Sequence, residues 1–124
     1  MIFFPRAFLK SFKHALRGLA LVWRAERNFR VQALAGAVIF LLSLFLPLMR
    51  SERSVLIFAV VLVLVFEVAN SLVERISDAF KPRLHPVVRE IKDVTAAAVL
   101  LASGAAAAVG ATILGPPLFR LFFP

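Results

Sequence analysis

Apolar residues dominate three long stretches of the chain, and polar residues separate these stretches. They cover residues 31–49, 55–73 and 94–114, and each is close to the roughly 20 residues that an α-helix needs to cross the hydrocarbon core of a bilayer. A short polar segment, residues 50–54, connects the first two and makes their helices antiparallel. The pattern predicts an all-α integral membrane protein with three transmembrane helices in one membrane domain, residues 1–124.

The segment before the first span, residues 6–28, carries bulky apolar and basic side chains on opposite faces of a helix. The apolar residues are Phe8, Phe12, Leu16, Leu19 and Trp23, and the basic residues are Lys10, Lys13 and Arg17. Such a pattern is typical of an amphipathic helix that lies in the membrane surface. A simple basic anchor on anionic lipid explains it as well as a functional role does.

Two further features set the expected ends of the later helices. The helical pattern of the second span continues with polar residues to about residue 80. Gly115, Pro116 and Pro117 are expected to end the third helix, because proline disfavours a helix interior.

The third span, residues 94–114, is rich in alanine and glycine, which let helices approach closely in lipid. We therefore expect it to pack tightly within or between subunits.

Composition and charge support the membrane assignment and predict its orientation. The chain is 61% hydrophobic, with a net charge of +8 and no cysteine. Seven of its fifteen basic residues precede residue 31, two lie between the first two spans, and five lie in residues 75–92. Because cytoplasmic segments carry the excess of Lys and Arg, the N-terminus is predicted to be cytoplasmic and the C-terminus outside. Because the chain has no cysteine, histidine and carboxylates are its possible metal ligands. No nucleic-acid partner is expected.

The last third of the second span carries a row of polar side chains at spacings of three and four residues. They are Glu67, Asn70, Ser71, Glu74 and Asp78. This spacing places them on one face of the helix. A charged side chain inside a bilayer costs about 2.5–3.5 kcal/mol by insertion scales, so it persists mainly where it functions or pairs with another charge. Glu67, the deepest of the row, therefore requires an explanation.

Further charged residues flank the other two spans at the same predicted interface. Glu26 precedes the first span, and Lys92 and Asp93 precede the third. Glu26 and Glu74 could supply the oxygen ligands that Mg²⁺ prefers, with phosphate oxygens and water completing its coordination. Lys92 could neutralise the phosphates, and Glu67 is placed to accept a proton from the hydroxyl of a lipid. These residues favour phosphoryl transfer to a lipid alcohol, although the chain has no GxxxxGK phosphate loop.

Other interpretations of the same residues remain open. Glu67 could be the titrating carboxylate of a small proton- or cation-translocating subunit, which would leave Glu26 and Asp93 without a role. The chain could also be an inert scaffold that packs through its third helix. Lys92 could be a membrane anchor, and His85 could either contact phosphate or adenine or be a solvated loop residue.

Over about residues 12–101, the sequence closely resembles the prokaryotic diacylglycerol kinase family, which includes undecaprenol kinases. The pattern E-x-x-N-[ST]-x-x-E-x-x-x-D begins at Glu67, and the pattern K-D-x-x-x-[AG]-A-V begins at Lys92, with His85 and Pro86 between them. Upstream, the family arrangement G…W…E-x-N-F is matched by Gly18, Trp23, Glu26, Asn28 and Phe29.

The resemblance implies a homotrimeric helix bundle in the bacterial cytoplasmic (inner) membrane, with active sites shared between subunits. It implies ATP as the phosphoryl donor, Mg²⁺ as the cofactor, and diacylglycerol or undecaprenol as the acceptor. Glu67 would be the general base, Asn70 an orienting group, and Glu26 and Glu74 the magnesium ligands. The implied nucleotide contacts are His14, Glu26, Glu74, Asp78, His85, Lys92 and Asp93. The implied lipid contacts are Arg17, Trp23, Asn28, Phe29, Arg30 and Glu67.

Three positions depart from the family pattern. His14 stands where the family usually has Tyr near the nucleotide, and Gln32 replaces a residue that is more commonly charged or His. Ala79 stands where an Arg commonly follows the Asp of the first motif. None of the three is a core catalytic position, so these departures concern nucleotide preference and affinity.

Overall fold

The computed structural model of the protein describes residues 3–79 and 86–124, with side chains from residue 5 onward within these ranges. The described residues form four α-helices: α1 (Phe3–Ala25), α2 (Arg27–Phe45), α3 (Arg50–Ala79) and α4 (Pro86–Phe122). Helices α2, α3 and α4 are each long and apolar enough to cross a membrane. The prediction of an all-α, multi-pass membrane protein is confirmed.

Helix α3 is the central element, because it packs against both α2 and α4. At the end of the bundle opposite to Glu67, Leu46, Leu56 and Leu114 form a small buried core. Most of the other large apolar side chains point outward along the helices. Such a surface suits a chain surrounded by lipid or by further subunits, where outward apolar side chains are not exposed to water.

Gly36 lies at a close contact between α2 and α3. It is buried in α2, and a β-carbon added at this position would overlap the Cγ1 atom of Val60 on α3. Glycine is therefore required here for a close approach of the two helices. Valine has a stiff side chain, so Val60 cannot readily move aside.

Gly36→Ala should lower the stability of the folded chain by roughly 1–3 kcal/mol, because the added methyl group overpacks the contact between α2 and α3. Gly18→Ala is the matched control, since no described heavy atom lies within 4 Å of a β-carbon added at Gly18. Both changes improve helix propensity equally. Thermal unfolding in detergent micelles should show a lower midpoint for the Gly36 variant alone, and equal midpoints would contradict the close-approach argument.

The first span ends earlier than the sequence pattern predicts. Helix α2 ends at Phe45, and Leu46 has an extended backbone with φ −87° and ψ 150°. Because the ring of Pro47 clashes with a helical conformation of the preceding residue, Leu46 leaves the helix. The prediction of a helix to residue 49 is therefore wrong, and residues 46–49 connect α2 to α3.

Helix α3 begins at Arg50, so the prediction that residues 50–54 form a polar connection is also wrong. The backbone N–H of Met49 donates to Oε1 of Glu52 at 3.0 Å. Met49 is thus the N-cap residue, and Glu52 lies three residues after it. A glutamate that accepts a hydrogen bond from the N-cap amide forms half of a capping box and stabilises the start of a helix. In addition, Nε of Arg53 donates to the carbonyl oxygen of Ser43 at 2.9 Å, which joins this first turn to the end of α2.

Helix α4 continues through Pro116 and Pro117 to Phe122. The prediction that Gly115 and these prolines end the third helix is wrong. The φ angle of proline, fixed near −65°, is compatible with a helix, although each proline lacks a backbone N–H donor. Proline is tolerated in transmembrane helices when neighbouring groups satisfy the carbonyls that it leaves free.

Candidate active site

The break between α1 and α2 falls on Glu26, which is the N-cap residue of α2 with φ −109° and ψ 108°. Its side chain makes no capping hydrogen bond. Instead, Oε1 of Glu26 accepts a hydrogen bond from Oγ of Ser71 at 3.1 Å. Ser71 lies on α3 and is only 1% exposed. This hydrogen bond fixes the Glu26 carboxylate against the polar face of α3.

Three carboxylates gather at this end of the bundle. Glu67 is buried, with only 6% of its surface exposed. Both Glu26 and Glu74 lie close enough for their charges to act on Glu67. Both are partly exposed, so the group extends from a buried carboxylate toward solvent. Carboxylates near one another favour a cation or a hydrogen-bond donor beside them.

A cavity of about 360 Å³ opens beside Glu67, between the three long helices. Its lining residues are Asn28, Val31, Gln32, Glu67, Asn70, Ala96, Val99, Leu100 and Ser103. Helices α2 and α3 contribute the carboxylate of Glu67 and the carboxamides of Asn28, Gln32 and Asn70. Helix α4 contributes a largely apolar wall. The cavity can therefore hold a molecule that carries both a hydroxyl group and hydrocarbon. It brings together Glu67, Asn70 and Asn28 of the predicted site.

Three of the predicted lipid contacts have partners of their own at the junction of α1 and α2. A guanidinium nitrogen of Arg30 donates to the carbonyl oxygens of Trp23 at 2.7 Å and Arg24 at 3.1 Å, which caps the end of α1. The rings of Trp23 and Phe29 meet nearly at right angles, with their centroids 6.4 Å apart. These contacts hold the junction together, and a role for Arg30, Trp23 or Phe29 in lipid binding stays a prediction.

Two of the predicted nucleotide contacts form an ion pair between the ends of α3 and α4. Nζ of Lys92 lies 2.8 Å from Oδ1 of Asp78, and the two side chains are 38% and 54% exposed. Screening by solvent makes such an exposed pair a small contribution to stability. Both groups are thus accessible from solvent at the same end of the bundle as the carboxylates. The neighbouring Asp93 is exposed.

The remaining predicted contacts are less closely placed. His14 and Arg17 are exposed on α1, and no described hydrogen bond or ion pair joins either of them to the carboxylates. His85 lies outside the described residues. The nucleotide and lipid roles of these three residues stay predictions.

The donor set suits a cation that is only partly bound by protein. Within residues 3–79 and 86–124, no three His, Asp or Glu side chains are arranged to hold a metal ion by themselves. Mg²⁺ commonly takes only one or two carboxylates and completes its coordination with phosphate oxygens and water. Two carboxylates such as Glu26 and Glu74 are a donor set of that size, and their role as magnesium ligands stays a prediction.

Three residues of this region were given no role in the site by the sequence analysis. Ser71 is four residues after Glu67, and this helical spacing was the available signal for its place in the site. Gln32 lines the cavity next to Asn28, one helical turn further along α2. Ser103 lines it from α4, where the surrounding alanines indicated helix packing instead of chemistry.

Comparison with known proteins confirms the resemblance. Residues 13–114 match the family described as prokaryotic diacylglycerol kinase. The chain is 33% identical to a diacylglycerol kinase of Synechocystis over 91% of its own length and 65% of that protein, slightly less than two thirds. It is 29% identical to an undecaprenol kinase of Bacillus subtilis over 90% of both chains. A diacylglycerol kinase of Escherichia coli is 30% identical over 76% of this chain and 77% of that protein. The chain belongs to the prokaryotic diacylglycerol kinase family, a family of phosphotransferases with an alcohol acceptor.

Proposed function

We propose that this protein transfers the γ-phosphoryl group of ATP to the hydroxyl of a membrane lipid alcohol, either diacylglycerol or undecaprenol. The observation that carries the proposal is the buried carboxylate of Glu67, which lines a cavity with one polar and one apolar wall. Glu26 and Glu74 lie beside it. Similar proteins are named diacylglycerol kinase and undecaprenol kinase, and these names support a lipid alcohol as the acceptor.

In this proposal Glu67 is the general base. The lipid hydroxyl enters the cavity and gives its proton to the Glu67 carboxylate as its oxygen attacks the γ-phosphorus. The bond between the γ-phosphorus and the bridging oxygen breaks, and ADP leaves. Asn70 lines the same cavity one helical turn away and orients the hydroxyl by hydrogen bonding. Phosphoryl transfer depends mainly on such positioning and on charge neutralisation.

Charge neutralisation is assigned to the more exposed residues of the site. A magnesium ion held by Glu26 and Glu74 would offset the negative charge of the β- and γ-phosphates. Lys92 adds a positive charge at the same end of the bundle. The hydrogen bond from Ser71 occupies one oxygen of Glu26 and leaves the other oxygen for the metal. His14, Asp78, His85 and Asp93 complete the proposed nucleotide site.

Ser71→Ala tests whether orientation of the Glu26 carboxylate matters. Loss of a group that holds a metal ligand typically costs about 10- to 100-fold in metal affinity or activity. We expect a loss in that range, partly recovered at high Mg²⁺ concentration. Ser54→Ala is the control, because its Oγ donates only to the carbonyl of Arg50 at the other end of α3. Equal activity of the two variants would contradict the role of Ser71.

The proposal includes a homotrimer in the bacterial cytoplasmic membrane, with the N-terminus in the cytoplasm and the C-terminus outside. The uneven distribution of basic residues supports this orientation. Helix α1 would lie on the membrane surface, where its exposed Phe8, Phe12 and Leu16 would contact lipid. Association of the three subunits would cover the outward apolar surface around the carboxylates. A single subunit leaves this surface uncovered.

Purified protein in mixed detergent–lipid micelles tests the reaction directly. With MgATP and each lipid alcohol, we expect phosphatidate from diacylglycerol, undecaprenyl phosphate from undecaprenol, or both. The competing interpretation of Glu67 as a translocating carboxylate predicts a different result. Proton or cation flux through reconstituted vesicles without ATP, together with no phosphorylated lipid, would contradict the kinase proposal.

A further inference from the structure

Ser103 on α4 carries a buried hydroxyl oxygen without a hydrogen-bond partner among the described residues. Several other hydroxyls of the described helices donate to acceptors of the protein. Ser43, Ser54, Thr95 and Thr112 donate to carbonyls of their own helices at 2.6–3.0 Å. Ser71 donates to Glu26. A hydroxyl in an apolar environment is unfavourable unless it finds a partner. The hydroxyl of Ser103 is therefore a hydrogen-bond donor that would be stabilised by an acceptor.

The position of Ser103 indicates where that acceptor would come from. Ser103 lines the cavity beside Glu67 and also a second cavity of about 440 Å³ between the same three helices. Apart from Gln32 and Ser103, the residues that line the second cavity are all alanine, glycine, valine, isoleucine or leucine. Ser103 thus lies where a polar compartment meets a hydrocarbon-like one.

The two possible acceptors differ in the groups that they would place at this junction. Diacylglycerol has ester carbonyls a few bonds from its free hydroxyl, followed by two acyl chains. A polyprenol has only hydrocarbon beyond its hydroxyl. With the reacting hydroxyl at Glu67, an ester lipid brings a carbonyl oxygen, which is a good acceptor, toward the junction. A polyprenol leaves the Ser103 hydroxyl unpaired.

We infer that Ser103 donates a hydrogen bond to an ester carbonyl of the bound acceptor and favours diacylglycerol over undecaprenol as the substrate. The inference rests on the proposed function, since it takes Glu67 as the place of the reacting hydroxyl. Ser103 positions the substrate and takes no part in proton transfer. The second cavity holds the beginning of the acyl chains.

Ser103→Ala, assayed with three acceptors, tests this inference. The acceptors are diacylglycerol, its dialkyl ether analogue with equal chain lengths, and undecaprenol. We expect kcat/KM for diacylglycerol to fall roughly 3- to 10-fold, the range that one neutral hydrogen bond supplies. The ether analogue lacks the carbonyl, so its kcat/KM should be unchanged. Thr112→Val is the matched control, because this hydroxyl on the same helix is paired with the carbonyl of Ala108.

The possible results separate the inference from the reaction on which it rests. Equal losses with the ester and ether lipids would indicate a general structural effect and would overturn the role of Ser103. Unchanged kcat/KM for diacylglycerol would overturn it as well. A wild-type preference for undecaprenol would overturn the substrate assignment while leaving the kinase proposal intact. Failure of the wild-type protein to phosphorylate any of the three alcohols would contradict the kinase proposal itself.

Discussion

Glu67→Gln should abolish measurable lipid phosphorylation, with turnover lowered by roughly 10²–10⁴-fold, the range that general base catalysis contributes. The carboxamide has nearly the same shape as the carboxylate but cannot accept the proton of the attacking hydroxyl. Because Glu67 is buried and lines the cavity beside Asn70, water is a poor substitute for it as the base. The measurement is the transfer of labelled phosphate from ATP to a lipid alcohol.

Glu90→Gln is the matched control for this experiment. Glu90 is exposed on α4, and its substitution removes the same charge without touching the cavity. Both variants should elute at the same position as the wild-type protein in size-exclusion chromatography. Full activity of the Glu67 variant, with an intact assembly, would remove Glu67 from its proposed role.

Glu26→Gln and Glu74→Gln should each lower activity on the order of 100-fold, the effect of removing one preorganised electrostatic group from a transition state. The required concentration of Mg²⁺ should rise in both variants. Glutamine at position 26 still offers an oxygen to the hydroxyl of Ser71, so this change removes charge while the hydrogen bond is retained. Activity measured as a function of free Mg²⁺ gives the result.

Glu52→Gln provides the comparison for the magnesium experiment. The Glu52 carboxylate accepts from the Met49 amide at the start of α3, far along the helix from Glu74. Its loss should weaken a helix cap and leave the magnesium dependence unchanged. If Glu26→Gln and Glu74→Gln had the same magnesium dependence as the wild type, the two carboxylates would not be the metal ligands.

The features that were predictable from the sequence are those that repeat along it. Hydrophobic runs predict the spans because a bilayer demands about 20 apolar residues from each helix. The row from Glu67 to Glu74 was predictable because helical periodicity alone places residues three and four positions apart on one face. The motifs that begin at Glu67 and Lys92 then indicated the family.

The ends of the helices depend on contacts that hydrophobicity does not encode. The hydrogen bond between Met49 and Glu52 supports the start of α3 at Arg50. The end of α2 depends on the steric effect of Pro47 on Leu46. In α4, by contrast, Pro116 and Pro117 continue the helix. Local interactions thus act at the start of α3 and at the end of α2.

Contacts between distant parts of the chain were the other features that the sequence did not reveal. Ser71 and Glu26 are 45 residues apart, and their hydrogen bond exists only because α1 ends at Ala25 and turns the chain toward α3. Ser103 lies in an alanine-rich helix, where its hydroxyl has no visible periodic partner. The sequence places Ser71 on the polar face of α3, but only the packing of the helices shows its hydrogen bond to Glu26 and the place of Ser103 beside the cavity.

The geometry of Glu26 has a consequence for attempts to engineer this protein. Ser, Thr, Asp or Asn at a helix N-cap typically adds about 1 kcal/mol of stability over a residue that does not cap. Glu26 makes no such cap, because its carboxylate is turned toward Ser71. Selection for thermal stability alone would therefore favour replacement of Glu26. The more stable variant would lack a proposed ligand of the magnesium ion. Screens for improved variants should accordingly select for turnover as well as heat resistance.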